Sequence, residues 1–158
     1  MREILFRGKR LGIGEWVYGY YFKAKLYRND VELCDFIAVP HPETEGQPND
    51  NFLVDEETVV QFTGLTDKNG KKIFEGDLLN GFEYPFYRSE SNEHNYFAEV
   101  VWFDENCAFG LVTHKHLTSK VRGISAGNAD YIEDFNSEEW EVIGNIHDNP
   151  ELLKEVDK

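Results

Sequence analysis

His114 and His116 are the two residues whose type and spacing come closest to those of a metal site. Alternate residues of a β-strand point to the same face, so both imidazoles could reach one Zn²⁺ ion. A third ligand would have to come from Asp104, Glu105 or a second chain. Closely spaced histidines on exposed strands and loops more often bind no metal, so the sequence predicts neither a metal nor another cofactor.

The other reactive groups form no recognisable catalytic arrangement. Cys34 and Cys107 lie far apart, at no metal-binding spacing, and neither has a base paired with it in the sequence. The chain contains no Gly-x-Ser-x-Gly motif, no P-loop, no Gly-x-Gly-x-x-Gly fingerprint and no His-Glu-x-x-His motif. Carboxylates are so abundant that any pair of them carries little information, and Asp77 is expected to accept backbone hydrogen bonds in a turn. We therefore predict a protein that is not an enzyme.

Charge is distributed unevenly along the 158 residues. The chain has 30 acidic and 16 basic residues, for a formal net charge of -14, a field that repels nucleic-acid phosphates and anionic membranes. Residues 1–29 nevertheless hold seven bases and two acids. No apolar run is long enough for a membrane span, and the N-terminus lacks the apolar run of a signal peptide. The sequence thus predicts a cytoplasmic protein that binds no membrane.

An aromatic segment over residues 15–27 predicts a strand that pairs with a strand over 3–7 as an N-terminal hairpin. Its large side chains are more than one small lobe can readily bury, and bases flank them. We therefore predict a homo-oligomer interface that comprises Trp16, Tyr18, Tyr20, Phe22, Lys23 and Lys25. The alternative is that the aromatic side chains form the core and the bases lie at its solvated rim.

Turn signals divide the rest of the chain into further short strands. Asn69-Gly70 predicts a type I′ hairpin turn, in which both central residues have positive φ. Residues 41–51 predict a loop, and residues 148–156 a short C-terminal helix capped by Asp148 or Asn149. Further strands are predicted over 31–39, 59–65, 97–103, 108–112 and 140–146, and residues 73–79 are predicted to form a strand, a turn and a second strand. The pattern indicates a mainly β fold with a small barrel over residues near 73–147.

Five blocks of the sequence carry a family likeness, in the order 2–9, 14–19, 58–77, 100–102 and 141–153. Together they resemble the YopX family, small proteins encoded by phages and prophages. The resemblance implies an N-terminal β subdomain, here 1–57, followed by an SH3-like barrel subdomain with a short C-terminal helix, here 58–158, which we expect to pack as one structural unit.

The resemblance implies self-association but no established biochemical role, and it carries over no catalytic residue. The motif residues Gly64, Asn69, Gly70, Gly76 and Asp77 are expected to serve the turns of the fold itself. We therefore expect a self-associating, non-enzymatic phage or prophage accessory protein with possible host or phage protein partners. Two alternatives stay open: an acidic decoy of a host nucleic-acid-binding protein, and a weak single-strand binder that uses the basic N-terminal lobe.

Overall fold

The computed structural model describes residues 3–27, 31–40, 50–81, 96–113, 129–131 and 140–153. The chain divides into two compact units, Met1–Phe62 and Thr63–Lys158. The sequence analysis placed the division after residue 57, and the structural boundary falls five residues later, inside a strand. Both units are built from antiparallel strands, which confirms the predicted mainly β fold.

The first unit is one antiparallel sheet with the order β4-β3-β2-β1-β5. A short 3₁₀ helix, Glu56–Thr58, precedes β5, and the carboxylate of Asp55 caps it by accepting the N–H of Glu57. The strands are β1 (Phe6–Lys9), β2 (Trp16–Ala24), β3 (Cys34–Val39), β4 (Asp50–Leu53) and β5 (Val60–Thr66), which ends in the second unit.

The ends of β1 and β4 meet and close the four strands β1–β4 into a ring. Arg10 and Val54 form an antiparallel bridge, and the N–H of Leu11 donates to the carbonyl of Leu53 at 3.0 Å. Ile37 and Val54 are buried. A Cβ at Gly8 would lie 3.2 Å from the Val54 side chain, so this glycine lets β1 approach the interior closely.

The second unit contains a five-stranded antiparallel sheet with the order β10-β9-β8-β7-β11, and β6 pairs with β5. A 3₁₀ helix, Pro150–Leu153, follows β11. The strands are β6 (Lys72–Phe74), β7 (Asp77–Gly81), β8 (Tyr96–Phe103), β9 (Ala108–Thr113), β10 (Ala129–Tyr131) and β11 (Trp140–Asn145). Its core consists of Ile73, Leu79, Ala98, Val100, Phe109, Leu111, Trp140 and Val142. The SH3-like barrel stays a prediction.

Two local expectations were wrong. Residues 50–51, predicted as loop, begin β4, because Asn51 pairs with Ala38 across the sheet. The turn at Asn69-Gly70 is present but is not type I′, because Gly70 has a φ of +78° and Asn69 has no positive φ. The N–H of Gly70 instead donates to the carbonyl of Asp67, and the N–H of Asp67 to that of Lys71, both at 2.9 Å. This is a three-residue loop in which the glycine alone is left-handed.

Three predicted elements are shifted or lie outside the described residues. The first strand begins at Phe6 rather than Glu3, and the C-terminal helix is a 3₁₀ turn in which Leu152 N–H donates to the Asn149 carbonyl at 3.0 Å. Between β7 and β8 the sequence predicts a long aromatic connection over residues 82–97, of which 82–95 lie outside the described part of the chain, as do residues 41–49 and 154–158.

A matched pair of substitutions, Gly76→Ala and Gly12→Ala, tests whether the motif residue Gly76 serves packing. Both glycines are left-handed, with φ of +73° and +80°, but a Cβ at Gly76 would lie 3.2 Å from Ile146 whereas one at Gly12 would meet nothing within 4 Å. We expect Gly12→Ala to lower the free energy of unfolding by about 1 kcal/mol and Gly76→Ala by about 2–3 kcal/mol. Urea denaturation measures both, and equal losses would refute the packing role.

Candidate interaction surface

The predicted interface aromatics share one face of β2. Trp16, Tyr18, Tyr20 and Phe22 alternate along the strand, and paired residues of neighbouring strands point to the same side. Trp16 lies opposite Lys9 of β1, and Phe22 lies opposite Phe36 of β3. We call the surface formed by Trp16, Tyr18, Tyr20, Phe22 and Phe36 the aromatic face. The structure therefore brings together four of the six residues predicted for the interface.

The two ends of the aromatic face are held by side-chain contacts. The guanidinium of Arg7 lies 4.6 Å from the centroid of the Trp16 ring, and the ammonium of Lys9 lies 5.4 Å from it. At the other end the rings of Phe22 and Phe36 stack with centroids 5.3 Å apart and planes 16° from parallel. These contacts restrict the rotamers at both ends of the row.

The middle of the aromatic face is open to solvent. Tyr18 is 46% exposed and Tyr20 is 56% exposed, although both rings stand on a hydrogen-bonded inner strand of the sheet. Tyr20 lies opposite Ala38, whose small side chain leaves the ring raised above its cross-strand neighbour. Two large, partly apolar rings thus stand on a stiff strand between two fixed aromatic groups.

Exposed apolar side chains are concentrated in the first unit. Among the described residues, nine of the eleven exposed large hydrophobic side chains belong to it. Tyr18 and Tyr20 are the two of these nine side chains that share the aromatic face.

Lys23 and Lys25 are not part of the aromatic face. Lys23 points to the opposite side of β2, where its ammonium lies 3.3 Å from the Asp35 carboxylate and 3.7 Å from that of Glu56. The phenol of Tyr21 donates to the same Asp35 carboxylate at 2.5 Å. Lys25 follows the end of β2 and is exposed. The prediction grouped both lysines with the aromatics because the segment is basic, but alternation along β2 places residue 23 on the opposite side from Trp16, Tyr18 and Tyr20.

This cluster around buried Asp35 is tied together electrostatically. Burial, and then the hydrogen bond to and charge of Asp35, raise the pKa of the Tyr21 hydroxyl, which keeps the phenol neutral. The hydrogen bond and charge of Asp35 also raise the pKa of Lys23. The cluster thus joins a neutral phenol and a cation of β2 to the Asp35 carboxylate at the start of β3.

Asp67 organises the turn that the family signature contains. Its buried carboxylate accepts the backbone N–H groups of Asn69 at 2.8 Å, Lys71 at 2.9 Å and Val142 at 3.0 Å. Burial opposes ionisation, but the hydrogen bonds from Val142, Lys71 and Asn69 outweigh it and lower the pKa of this carboxyl. A side chain 75 positions away in sequence thus satisfies an amide of strand β11.

Lys68 completes the attachment of this turn to β11. Its backbone N–H donates to the carbonyl of Trp140 at 3.0 Å, and its ammonium lies 2.5 Å from the carboxylate of Glu141. β11 is an edge strand of its sheet, and the turn occupies backbone groups that would otherwise be open to pairing. Two of the blocks that carry the family likeness, 58–77 and 141–153, are therefore in direct contact.

The remaining motif residues also serve the backbone. The N–H of Gly76 donates to Val100 at 2.7 Å, and its carbonyl accepts the N–H of Ile146 at 2.9 Å. Asp77 is fully buried, and its carboxylate accepts the N–H of Phe74 at 2.8 Å. Gly64 is left-handed, with a φ of +93°. These contacts support the prediction that the motif is structural.

The predicted metal candidates His114 and His116 lie outside the described residues. Within the described ranges, no three His, Cys, Asp or Glu side chains are grouped to hold a metal ion. Cys34 and Cys107 are both free thiols, and Cys107 is exposed in the turn after β8. No described helix is long and apolar enough to cross a membrane.

A ring of four antiparallel strands in the first unit and a five-stranded antiparallel sheet in the second define a small, mainly β protein. The chain belongs to the YopX protein family, whose model matches residues 5–154. No curated protein sequence matches the chain.

The chain is also similar to a solved structure, the crystal structure of protein EF1440 from Enterococcus faecalis. The identity is 23% and the TM-score 0.45, and the match covers 97% of this chain and 99% of that one.

The sequence analysis missed Asp67 and Asp35 as organising residues. A signal was available for Asp67, because an aspartate two residues before Asn69 is placed to accept turn N–H groups. Its bond to Val142 had no sequence signal, since it depends on which strand lies beside the turn. The contact of Arg7 and Lys9 with Trp16 follows from the hairpin register, which the sequence did not define.

Removal of the Asp67 carboxylate tests this organisation. We expect Asp67→Ala to lower the free energy of unfolding by about 2–3 kcal/mol at neutral pH, because it leaves the Val142 N–H buried without its acceptor. Asp104 is the control, since its carboxylate accepts only an exposed bond from the Trp102 indole, and Asp104→Ala should cost about 0.5 kcal/mol or less.

The contribution of the Asp67 carboxylate to the free energy of unfolding should depend on pH with a defined sign. A carboxyl whose pKa is lowered on folding stabilises the folded state fully above its unfolded pKa, roughly 4, and loses that contribution as the pH falls through the lower folded value. The difference between wild type and Asp67→Ala should therefore shrink in acid. A difference that is the same at neutral and acidic pH would show that the carboxylate charge is not what the turn uses.

Proposed function

We propose that this chain is a non-enzymatic accessory protein of a phage or prophage that acts by self-association, with the aromatic face as the contact between copies. The observation that carries the proposal is the exposure of Tyr18 and Tyr20, 46% and 56%, in the middle of a stiff aromatic row. Tyrosine and tryptophan are enriched in the buried centres of protein interfaces.

The rigidity of the aromatic face favours tight association. An interface loses affinity in proportion to the side-chain freedom that binding removes, and tyrosine has few rotatable bonds. Trp16 is already stacked against Arg7, and Phe22 against Phe36, in the single chain. A second copy would therefore order chiefly the two central tyrosines, whose rings can pack while their hydroxyls stay hydrated.

Charge supports a second copy as the partner. The first 29 residues are basic, whereas the remaining 129 hold 28 acids and nine bases. A basic segment of one copy can therefore meet acidic surface of another, which gives an attraction that salt weakens. Lys25, exposed at the end of β2, is placed to contribute to that attraction.

The same observations weigh against a single-strand binder. Such a site needs cations that are free to reach phosphates beside the stacking rings. Arg7 is only 5% exposed beneath Trp16, and Lys23 is engaged by Asp35 on the other side of the strand. The net charge of -14 repels phosphate in addition. The acidic decoy gains no support from the acidic stretch 130–141, because most of that stretch lies outside the described residues.

The combined variant Tyr18→Ser/Tyr20→Ser tests the interface. Both side chains are exposed, so the folded chain should tolerate the change, and the dissociation constant of the oligomer should rise more than about tenfold. Sedimentation velocity across a concentration series measures this shift toward the monomer.

Ile143→Ser is the matched control, because Ile143 is 42% exposed and lies in the second unit. Its dissociation constant should stay within about twofold of the wild-type value. A wild-type chain that is monomeric at every concentration would refute self-association. An oligomer that survives the tyrosine variant but weakens in Ile143→Ser would place the contact elsewhere.

A further inference from the structure

The chain contains two Asn-Gly pairs in very different surroundings. Asn69-Gly70 lies in the exposed turn between β5 and β6. Asn80-Gly81 lies in β7, with β8 on one side and β11 on the other. Glycine has no Cβ to hinder attack by its own backbone nitrogen on the preceding side chain, so Asn-Gly is the pair most prone to imide formation.

We propose that Asn69 is a site of spontaneous covalent modification, at which the side-chain amide is lost to give aspartate and isoaspartate, and that the turn around Asp67 sets the rate. The backbone nitrogen of Gly70 forms a bond to Cγ of Asn69 and loses its proton. The bond between Cγ and the side-chain nitrogen Nδ2 breaks, and Nδ2 takes up a proton and leaves as ammonia. Water then opens the resulting five-membered imide at either carbonyl. One opening gives aspartate, and the other gives isoaspartate with the chain routed through Cβ.

The turn controls the attacking nitrogen directly. The N–H of Gly70 donates to the carbonyl of Asp67 at 2.9 Å, and the N–H of Asn69 donates to the Asp67 carboxylate at 2.8 Å. Rotation of the Gly70 nitrogen toward Cγ of Asn69 breaks the first of these bonds and disturbs the second. The reaction therefore proceeds from a locally opened turn, whose population depends on how strongly Asp67 holds it closed.

Asn80 lacks this route. It is paired with Glu141 on β11 and with Phe97 on β8, and a Cβ at Gly81 would lie 2.7 Å from the Trp140 ring. Movement of the Gly81 nitrogen requires both ladders to open, which amounts to unfolding the sheet. Local opening of an exposed turn costs less free energy than that.

The product at Asn69 would weaken the structure that protects it. Isoaspartate adds one main-chain atom to a three-residue loop and changes the position of the N–H groups that Asp67 accepts. The new carboxylate also lies beside Asp67, and like charges repel. Because the same Asp67 carboxylate holds the N–H of Val142, modification at Asn69 would loosen the attachment of β11.

Peptide mapping by mass spectrometry of the purified chain, incubated in its native state at mildly alkaline pH, tests the proposal. The mass increase that marks conversion of the amide to an acid should appear at least about tenfold faster in the peptide that contains Asn69 than in the peptide that contains Asn80. In wild-type chain unfolded by guanidinium, the two rates should agree within about threefold. Asn69→Gln should abolish the gain in the first peptide, because glutamine cannot form the five-membered imide.

Asp67→Ala should speed the reaction at Asn69 by about tenfold and leave that at Asn80 unchanged, provided that the variant stays folded. If the variant does not fold, the proposal is tested by the Asn69 and Asn80 rates in native and in unfolded wild-type chain alone. Equal native rates at Asn69 and Asn80 would overturn the proposal. An Asn69 rate that is the same in native wild type and in folded Asp67→Ala would overturn the role of the turn.

Discussion

One buried carboxylate holds the second unit in its described form. Asp67 accepts two N–H groups of its own turn and the N–H of Val142 on the edge strand β11, so a single side chain joins parts of the chain 75 residues apart. The three bonds compensate for burial and keep the carboxyl ionised. Lys68 adds a backbone bond to Trp140 and an ion pair with Glu141. The turn covers the edge of the sheet at β11, so the Asn69-Gly70 turn within block 58–77 serves the fold.

The first unit carries the exposed aromatic side chains of β2. There the bridge between Arg10 and Val54 closes β1–β4 into a ring, and Ile37 and Val54 are buried. The ring leaves the alternate residues of β2 on one continuous face, whose central tyrosines are exposed. These two observations, motif residues engaged with the backbone and exposed tyrosines on β2, are the basis on which we propose an interaction surface in the first unit.

Sequence reasoning predicted what depends on local pattern. The strands β2, β5, β8, β9 and β11 follow from alternating or continuous apolar runs, and the Asn69-Gly70 turn follows from its residue types. Properties that depend on partners distant in sequence were not predictable. The turn type is set by Asp67 and by a three-residue loop, and β4 forms because β3 lies beside it. The side of β2 on which Lys23 lies follows from strand alternation, but its ion pair with Asp35 depends on the register with β3.

The most direct test of the proposed self-association through the aromatic face is ¹⁹F NMR of the chain with fluorotyrosine in place of tyrosine, recorded from dilute to concentrated solution. The resonances of Tyr18 and Tyr20, assigned by single substitutions, should move together as the concentration rises, because a second copy covers both rings. Tyr21 is the internal reference, since its hydroxyl is bound to Asp35 on the opposite side of β2 and its resonance should stay fixed. Resonances of Tyr18 and Tyr20 that do not change with concentration would contradict association through the aromatic face.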